Sequence, residues 1–308
     1  MRESREIEKG GFIMSKQKKA NIGLLIMTIG WGTSFILTKA ALNELEVFNF
    51  LSFRFLIGAI VSGLIFYKNI LKLDKKTMLY GMGVGSLLFS HYIFQTIGLN
   101  YTTASKSAFI TGTSVVMVPI IAGILNRKFP EMKVMLGAFM ALFGLAMMTL
   151  NGDAGVNIGD ALSFVGAIIF ALYIIVVGKY TKQVESIGFA LVQIFTVGVL
   201  SVLTSLVFET PKMPTTGGTI IGIIILGVVC TSGAFIVQNI AQKYTTASST
   251  ALIYATEPVF AAIFAYLFVG EILSKVGMLG GLLILLGMLV AETDFIDNFK
   301  EALELRFS

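Results

Sequence analysis

The feature that most constrains this chain is a duplicated stretch of apolar sequence. Residues 91–105 read HYIFQTIGLNYTTAS and residues 234–248 read AFIVQNIAQKYTTAS, identical at eight of fifteen aligned positions and 143 residues apart in a chain of 308. Both copies fall late in an apolar run. Two halves built from one unit and embedded in lipid suggest a pathway between them, because many carriers bind substrate at a repeat interface.

The apolar runs recur almost without a break. With 56% hydrophobic and 13% charged residues and a mean hydropathy of +0.86, the chain lies outside the range of soluble domains. Ten runs of about twenty residues stand out, roughly 21–42, 47–67, 77–99, 103–125, 131–150, 158–179, 186–208, 217–242, 246–269 and 274–294. Each is long enough to cross a hydrocarbon core of about 30 Å. Lipid offers no partner to an unpaired backbone group, so the runs are helices; the shorter alternating pattern of barrel strands is absent.

The predicted fold class is therefore an all-α polytopic membrane protein with ten transmembrane helices in two inverted five-helix repeats. The first repeat covers 21–150 and the second 158–294, joined by the hydrophilic link NGDAGVN at 151–157. An odd number of spans per unit reverses the orientation of the second unit. Residues 1–20 and 295–308 are then tails on one side. Eighteen of the 23 Lys and Arg residues fall on that side, against Lys212 and Lys275 on the other. Positive residues mark the cytoplasmic face, so both tails are expected inside a cell (inner) membrane. The net charge of +5 is a topology signal and gives no reason to expect nucleic acid.

Cys230 is the only cysteine and lies within a span, which excludes an internal disulfide and a cysteine-based metal cluster. The polar first twenty residues lack a cleavable signal in the usual place, and Met14 is a second candidate start. Of five prolines only Pro119 and Pro258 fall in spans, in equivalent spans 4 and 9 but four residues out of register. Each removes a helical hydrogen bond, so both are candidate hinges. Gly137 and Gly144 of span 5 match Gly280 and Gly287 of span 10 at the repeat offset, as expected of close-packing helices.

Several stretches resemble the drug/metabolite transporter superfamily, specifically its EamA family of ten-span transporters. In the first half these are WGTSFILTKAAL (31–42), FLSFRFLIG around Arg54, and TASKSAFITGTSVVMVPIIAGIL (103–125). In the second they are GDALSFVGAIIFALYIIVVGK (159–179) and TASSTALIYATEPVFAAIFAYLFVGEILS (246–274), with its Glu-Pro pair and the GE at 270–271. The first half ends span 4 with LNRKFP (125–130) and lacks an acidic residue equivalent to Glu271. The resemblance implies a secondary carrier, frequently an exporter, of amino acids or other small metabolites. Related branches carry nucleotide sugars or sugar phosphates.

Polar residues within the spans are the candidate contacts, because a charge at mid-bilayer costs at least about 2.5–3.5 kcal/mol. Glu257 lies midway along span 9 on a short side chain, so it must be protonated, paired or facing water. Thr250, Tyr254 and Glu257 share one helix face. Pro258 also frees the carbonyl of Tyr254 from its helical donor. Lys39 and Lys106 lie near the outer ends of spans 1 and 4, where long stems can snorkel. Arg54 is about 10 Å into span 2, within reach of the interface or of a neighbouring carbonyl.

His91, the only histidine, has Gln95 one turn later on its face; its ordinary pKa of about 6.5 suits proton coupling. Gln95 and its repeat mate Gln238 suit symmetric positions on two sides of a pathway. Trp31, Ser34, Phe35 and Thr38 form a stripe on span 1 that offers an aromatic wall with hydroxyls. Tyr173 and Gln193 occupy similar places in the second half.

The rival classes find less support. An intramembrane hydrolase needs a nucleophile with a base in reach, and no nucleophile motif accompanies His91. The chain is not expected to be an enzyme or to hold a metal or cofactor. A channel or a receptor-like membrane protein remains the alternative, as does a carrier for nucleotide sugars or sugar phosphates. The partners expected are a small-molecule substrate and the lipid bilayer, with the chain a monomer or homodimer. Alternating access between the two halves is the expected mechanism.

Overall fold

A computed structural model describes residues 14–149, 157–269 and 274–292. The regular structure among them is helical. The first half carries α1 (Lys16–Trp31), α2 (Ser34–Ala41), α3 (Val47–Ile65), α4 (Tyr67–Ile70), α5 (Lys75–Tyr101), α6 (Ala104–Gly112), α7 (Ser114–Asn126) and α8 (Met132–Thr149). The second carries α9 (Ile158–Tyr180), α10 (Ser186–Phe208), α11 (Gly217–Gly227), a π-helical turn (Val228–Gly233), α12 (Ala234–Ala241), α13 (Ala247–Tyr254), α14 (Glu257–Val269) and α15 (Lys275–Glu292). The GE pair at 270–271, the link at 151–156, residues 1–13 of the first tail and the whole of the second tail lie outside the described residues.

Among the described residues seven helical stretches are long and apolar enough to cross a membrane: Lys16–Ala41, Val47–Ile65, Ala104–Asn126, Ile158–Tyr180, Ser186–Phe208, Gly217–Ala241 and Ala247–Phe264. Two further apolar helices, Met132–Met148 and Lys275–Ala291, are shorter among the described residues. Helix α5 is long, but Ser, His, Gln and Thr dilute its apolar character. The chain is thus a multi-pass helical membrane protein, with seven of the ten expected spans meeting both measures.

Local sequence explains the ends. In the duplicated TTAS the second threonine caps the next helix in each copy: Thr103 Oγ1 accepts from Lys106 N at 3.1 Å and Thr246 Oγ1 from Ser249 N at 3.0 Å. Asn157 and Asp160 form a reciprocal capping box that opens α9. The interruptions are equally informative. The helix break after α6 falls at Thr113 and that after α13 at Ala255–Thr256, repeat-equivalent positions. Pro258 sits in the first turn of α14, where its missing N–H is least costly, whereas Pro119 lies in the interior of α7 beyond the break. The shared bend therefore follows the repeat register, which the prolines do not.

Helices α8 and α15 cross through four glycines. A Cβ at Gly137 would strike the carbonyl oxygen of Gly287, and one at Gly144 would strike that of Gly280. The reverse contacts are equally tight, 2.6 Å for a Cβ at Gly287 and 2.6 Å for one at Gly280. Rising numbers on one helix meet falling numbers on the other, so the pair runs antiparallel and equivalent residues exchange partners. The small residues let the two backbones touch.

The main core gathers Leu24, Phe50, Phe55, Tyr173, Phe189 and Phe235, each fully buried. A smaller cluster around Leu145 and Ile284 lies at the α8–α15 crossing. At the end that carries residues 42–49, two carboxylates tie the halves together. Glu209 accepts from Phe48 N at 2.8 Å and Asn49 N at 2.7 Å, capping α3 from the other half. Glu44 accepts from the backbone of Thr215 and, at 2.9 Å, from Thr216 Oγ1. Hydrogen bonds led by Thr215 hold the Glu44 carboxyl down at about 2.

Candidate functional site

Three of the interrupted segments meet around a narrow cavity of about 40 Å³. That is room for about three or four water molecules, on the rule that one needs roughly 10–15 Å³. Trp31, Ser34 and Thr38 line it from α1 and α2, where the helix breaks at Gly32–Thr33. This break packs tightly: a Cβ at Gly32 would lie 2.9 Å from the backbone nitrogen of Ala261 in α14. Thr111 enters from the end of α6 and Glu257 from the first residue of α14. Helix α5 adds His91, Tyr92 and Gln95, and Phe170 closes the wall from α9.

Arg54 is the cation of this cavity. It is only 4% exposed, so it does not reach the interface as the sequence suggested. Its Nε donates to Thr231 Oγ1 at 3.0 Å and its Nη2 to Tyr92 Oη at 3.2 Å, with the guanidinium 4.8 Å from the Tyr92 ring. Thr231 lies in the π-helical turn, and the same turn offers the Cys230 carbonyl to Trp31 Nε1 at 2.8 Å. Such turns shift the register of a helix and recur at functional sites. Five N–H donors belong to a guanidinium, so these two bonds leave others for a ligand.

Glu257 faces the same cavity and also lines a small adjoining one of about 20 Å³ with Tyr254, Thr111 and Pro258. No hydrogen bond or ion pair ties its carboxylate to another described residue. Two groups of opposite formal charge, one from each half, thus share a cavity without meeting each other. His91 is buried, stacked 4.6 Å from Phe170, and its Nδ1 lies 2.9 Å from the Gly166 carbonyl. A carbonyl only accepts, so Nδ1 carries the proton in this contact. Gln95 Nε2 donates to Thr111 Oγ1 at 3.2 Å.

The remaining sequence candidates lie elsewhere. Lys39 Nζ donates to the carbonyls of Leu99 and Thr102 at the α5 end of the cavity, pinned by backbone. Lys106 pairs with Asp160 at 3.4 Å, and Asp160 also accepts from Thr102 Oγ1 at 2.5 Å. Tyr173 is fully buried off the cavity, donating to Gln193 Oε1 at 2.9 Å; Gln193 in turn donates to Asn239 Oδ1 at 2.9 Å. Gln238 is fully buried too and donates to Gln242 Oε1 at 3.0 Å, so it does not mirror Gln95 across the cavity. Tyr92, Thr111 and Phe170 are lining residues that the sequence did not single out, and Arg54 was placed too shallow. A signal for Thr111 was present, since it is the repeat mate of Tyr254.

A membrane-embedded helical bundle with a polar, two-charge cavity at its broken helices defines the transporter class. The chain belongs to the EamA-like transporter family, whose sequence profile matches residues 18–150 and again 157–293. An uncharacterized transporter of Archaeoglobus fulgidus (strain ATCC 49558 / DSM 4304 / JCM 9628 / NBRC 100126 / VC-16) is 33% identical over 284 residues, 92% of this chain and 89% of that protein. The uncharacterized transporter YoaV of Bacillus subtilis (strain 168) is 23% identical over 286 residues, 88% of this chain and 95% of its own. A solved crystal structure of a protein shares the fold at a TM-score of 0.74 and 18% identity, covering 89% of this chain and 96% of that one. The Archaeoglobus and Bacillus relatives are both named as transporters.

Proposed function

We propose that this chain is a secondary carrier for small zwitterionic metabolites, amino acids above all, working by alternating access between two inverted five-span repeats. The observation that carries the reading is the pair Arg54 and Glu257, facing one cavity from opposite halves with no ion pair between them. A guanidinium matches a carboxylate in a two-pronged geometry, and a carboxylate accepts from an ammonium. An α-amino acid supplies both complementary groups, and the aromatic wall of Trp31 and Phe170 takes its side chain. Arg54 is the one Lys or Arg among the described lining residues, which favours this over nucleotide sugars or sugar phosphates with their several negative charges; in this reading the cavity widens to admit the substrate.

The exchange of partners between Gly137–Gly287 and Gly144–Gly280 supports inversion of the repeats, as do the equivalent breaks at Thr113 and Thr256. Ten spans, with units 21–150 and 158–294 and both tails in the cytoplasm of a cell whose inner membrane holds the chain, complete the proposal. Export is the direction that the family resemblance implies. Lys39 and Lys106 belong to the mouth of the pathway in this reading, and His91 to the cavity wall, where it can relay a proton.

Counterflow in proteoliposomes tests the proposal. Vesicles preloaded with unlabelled amino acid should accumulate labelled amino acid in a saturable way, and Arg54→Ala should abolish it. Flux that rises linearly with concentration and shows no counterflow would identify a channel instead.

A further inference from the structure

One repeat-equivalent pair breaks the correspondence between the halves. In the first half Gln95 Nε2 donates to Thr111 Oγ1 at 3.2 Å. The 143-residue offset maps Gln95 onto Gln238 and Thr111 onto Tyr254. Among the described residues three buried side-chain polar atoms lack a hydrogen-bond partner: Ser186 Oγ, Gln238 Oε1 and Tyr254 Oη. Two of the three are therefore the second-half copies of a bonded pair. One is an acceptor and the other carries a donor proton, so they are complementary.

Another repeat pair is bonded in both halves. At the ends of the same helices, Thr102 Oγ1 donates to Asp160 Oδ1 at 2.5 Å and Thr245 Oγ1 to Asn21 Oδ1 at 2.7 Å, and both bonds are made. Trp31 packs beside the second-half pair. Its ring lies 5.0 Å from that of Tyr254 and 6.0 Å from that of Phe235, which precedes Gln238 on α12. The indole thus touches one ring on α12 and one on α13, the two helices that carry Gln238 and Tyr254. Leaving a buried donor and acceptor unmade is costly, and natural structures rarely do so without a reason.

We infer that Gln238 and Tyr254 are the unmade half of a conformational switch. When the halves exchange conformations, α1 withdraws Trp31, Tyr254 Oη donates to Gln238 Oε1, and the Gln95–Thr111 bond opens. Each state then holds one of two equivalent hydrogen bonds, and the two states stay close in energy. Turnover between them needs that balance. The inference rests on the alternating-access reading above.

The test compares Tyr254→Phe with Thr111→Val. Both carry a Thr250→Cys reporter on buried α13 in a Cys230→Ala background, which removes the only native cysteine. Tyr254→Phe deletes an atom that makes no bond here, so it should favour this state. Maleimide labelling of Thr250→Cys and counterflow should both fall at least threefold, without loss of thermal stability. Thr111→Val weakens this state and should raise labelling by a similar factor. Shifts in the same direction, or no shift in either, would overturn the switch while wild-type counterflow upholds the carrier. Absence of counterflow in the wild type, together with labelling that does not respond to substrate, would overturn both.

Discussion

Arg54 and Glu257 face the same cavity from different halves of the chain and make no ion pair with each other. Closely paired charges would compensate each other and leave little for a ligand. Held apart, each keeps part of its hydrogen-bonding capacity unused within the described residues. Arg54 is kept back by Thr231 and Tyr92, and Glu257 stands at the start of α14 with no partner among the described residues.

Arg54→Lys is expected to bind substrate at least tenfold more weakly, although it keeps the charge. An ammonium cannot reproduce the planar fork that reaches Thr231, Tyr92 and a carboxylate together. Arg54→Ala should add a loss of stability of about 1–3 kcal/mol for each buried polar partner left unbonded. Thermal unfolding in detergent, run beside counterflow, separates the two effects.

Glu257→Gln is expected to alter transport with the folded yield unchanged, because the carboxylate makes no contact that an amide would break. Uptake by the variant should lose its dependence on pH between 5 and 8 if Glu257 carries the transported proton. Retention of wild-type kinetics and pH dependence removes Glu257 from the site. His91→Gln is the companion variant, and a pH dependence lost there instead assigns the proton to His91.

Sequence alone made much of this site legible, and the reason is the repeat. Glu257, His91, Gln95, Trp31 and Ser34 stand out as polar or aromatic residues in apolar helices, and all five line the cavity. Arg54 was harder, because distance along a helix does not reveal that α5 and the π-helical turn wrap over it. Gln238 failed as a mirror of Gln95 because it bonds to Gln242 on its own side of the bundle, whereas Gln95 bonds to Thr111 at the cavity, so sequence symmetry overstates structural symmetry. Pro119 and Pro258 drew attention as bends, yet the breaks sit at Thr113 and Thr256, set by register and packing. The caps from Glu209 and Glu44 join segments more than 150 residues apart, and no local pattern announces them.

Glu44 gives a test of that clamp. Its folded pKa is lowered from 4.5 to about 2, first by the Thr215 hydroxyl and next by the Thr215 backbone amide. A lowered carboxyl pKa contributes stability that is fully present above the unfolded value and is lost as pH falls through the folded one. Melting temperature should therefore drop between about pH 4.5 and 2, and Glu44→Gln should flatten that part of the profile. An identical pH profile in the variant would remove the clamp from the account of stability.

The α8–α15 crossing should tolerate no side chain. Gly144→Leu and Gly280→Leu are each expected to cost on the order of 1–3 kcal/mol or more through overpacking against a backbone carbonyl. Because the contact is reciprocal, the two variants should lose similar amounts in thermal unfolding, and the double variant less than their sum.

The most direct measurement of the central claim is competition in counterflow by three matched compounds. They are a neutral amino acid, the amine that lacks its carboxylate and the acid that lacks its ammonium. A cavity that holds one charge with Arg54 and the other with Glu257 should let the amino acid compete at least tenfold better than either analogue. In direct binding to the purified Arg54→Ala variant, the preference for the amino acid over the amine should be lost. Equal competition by all three would contradict a site built from these two residues.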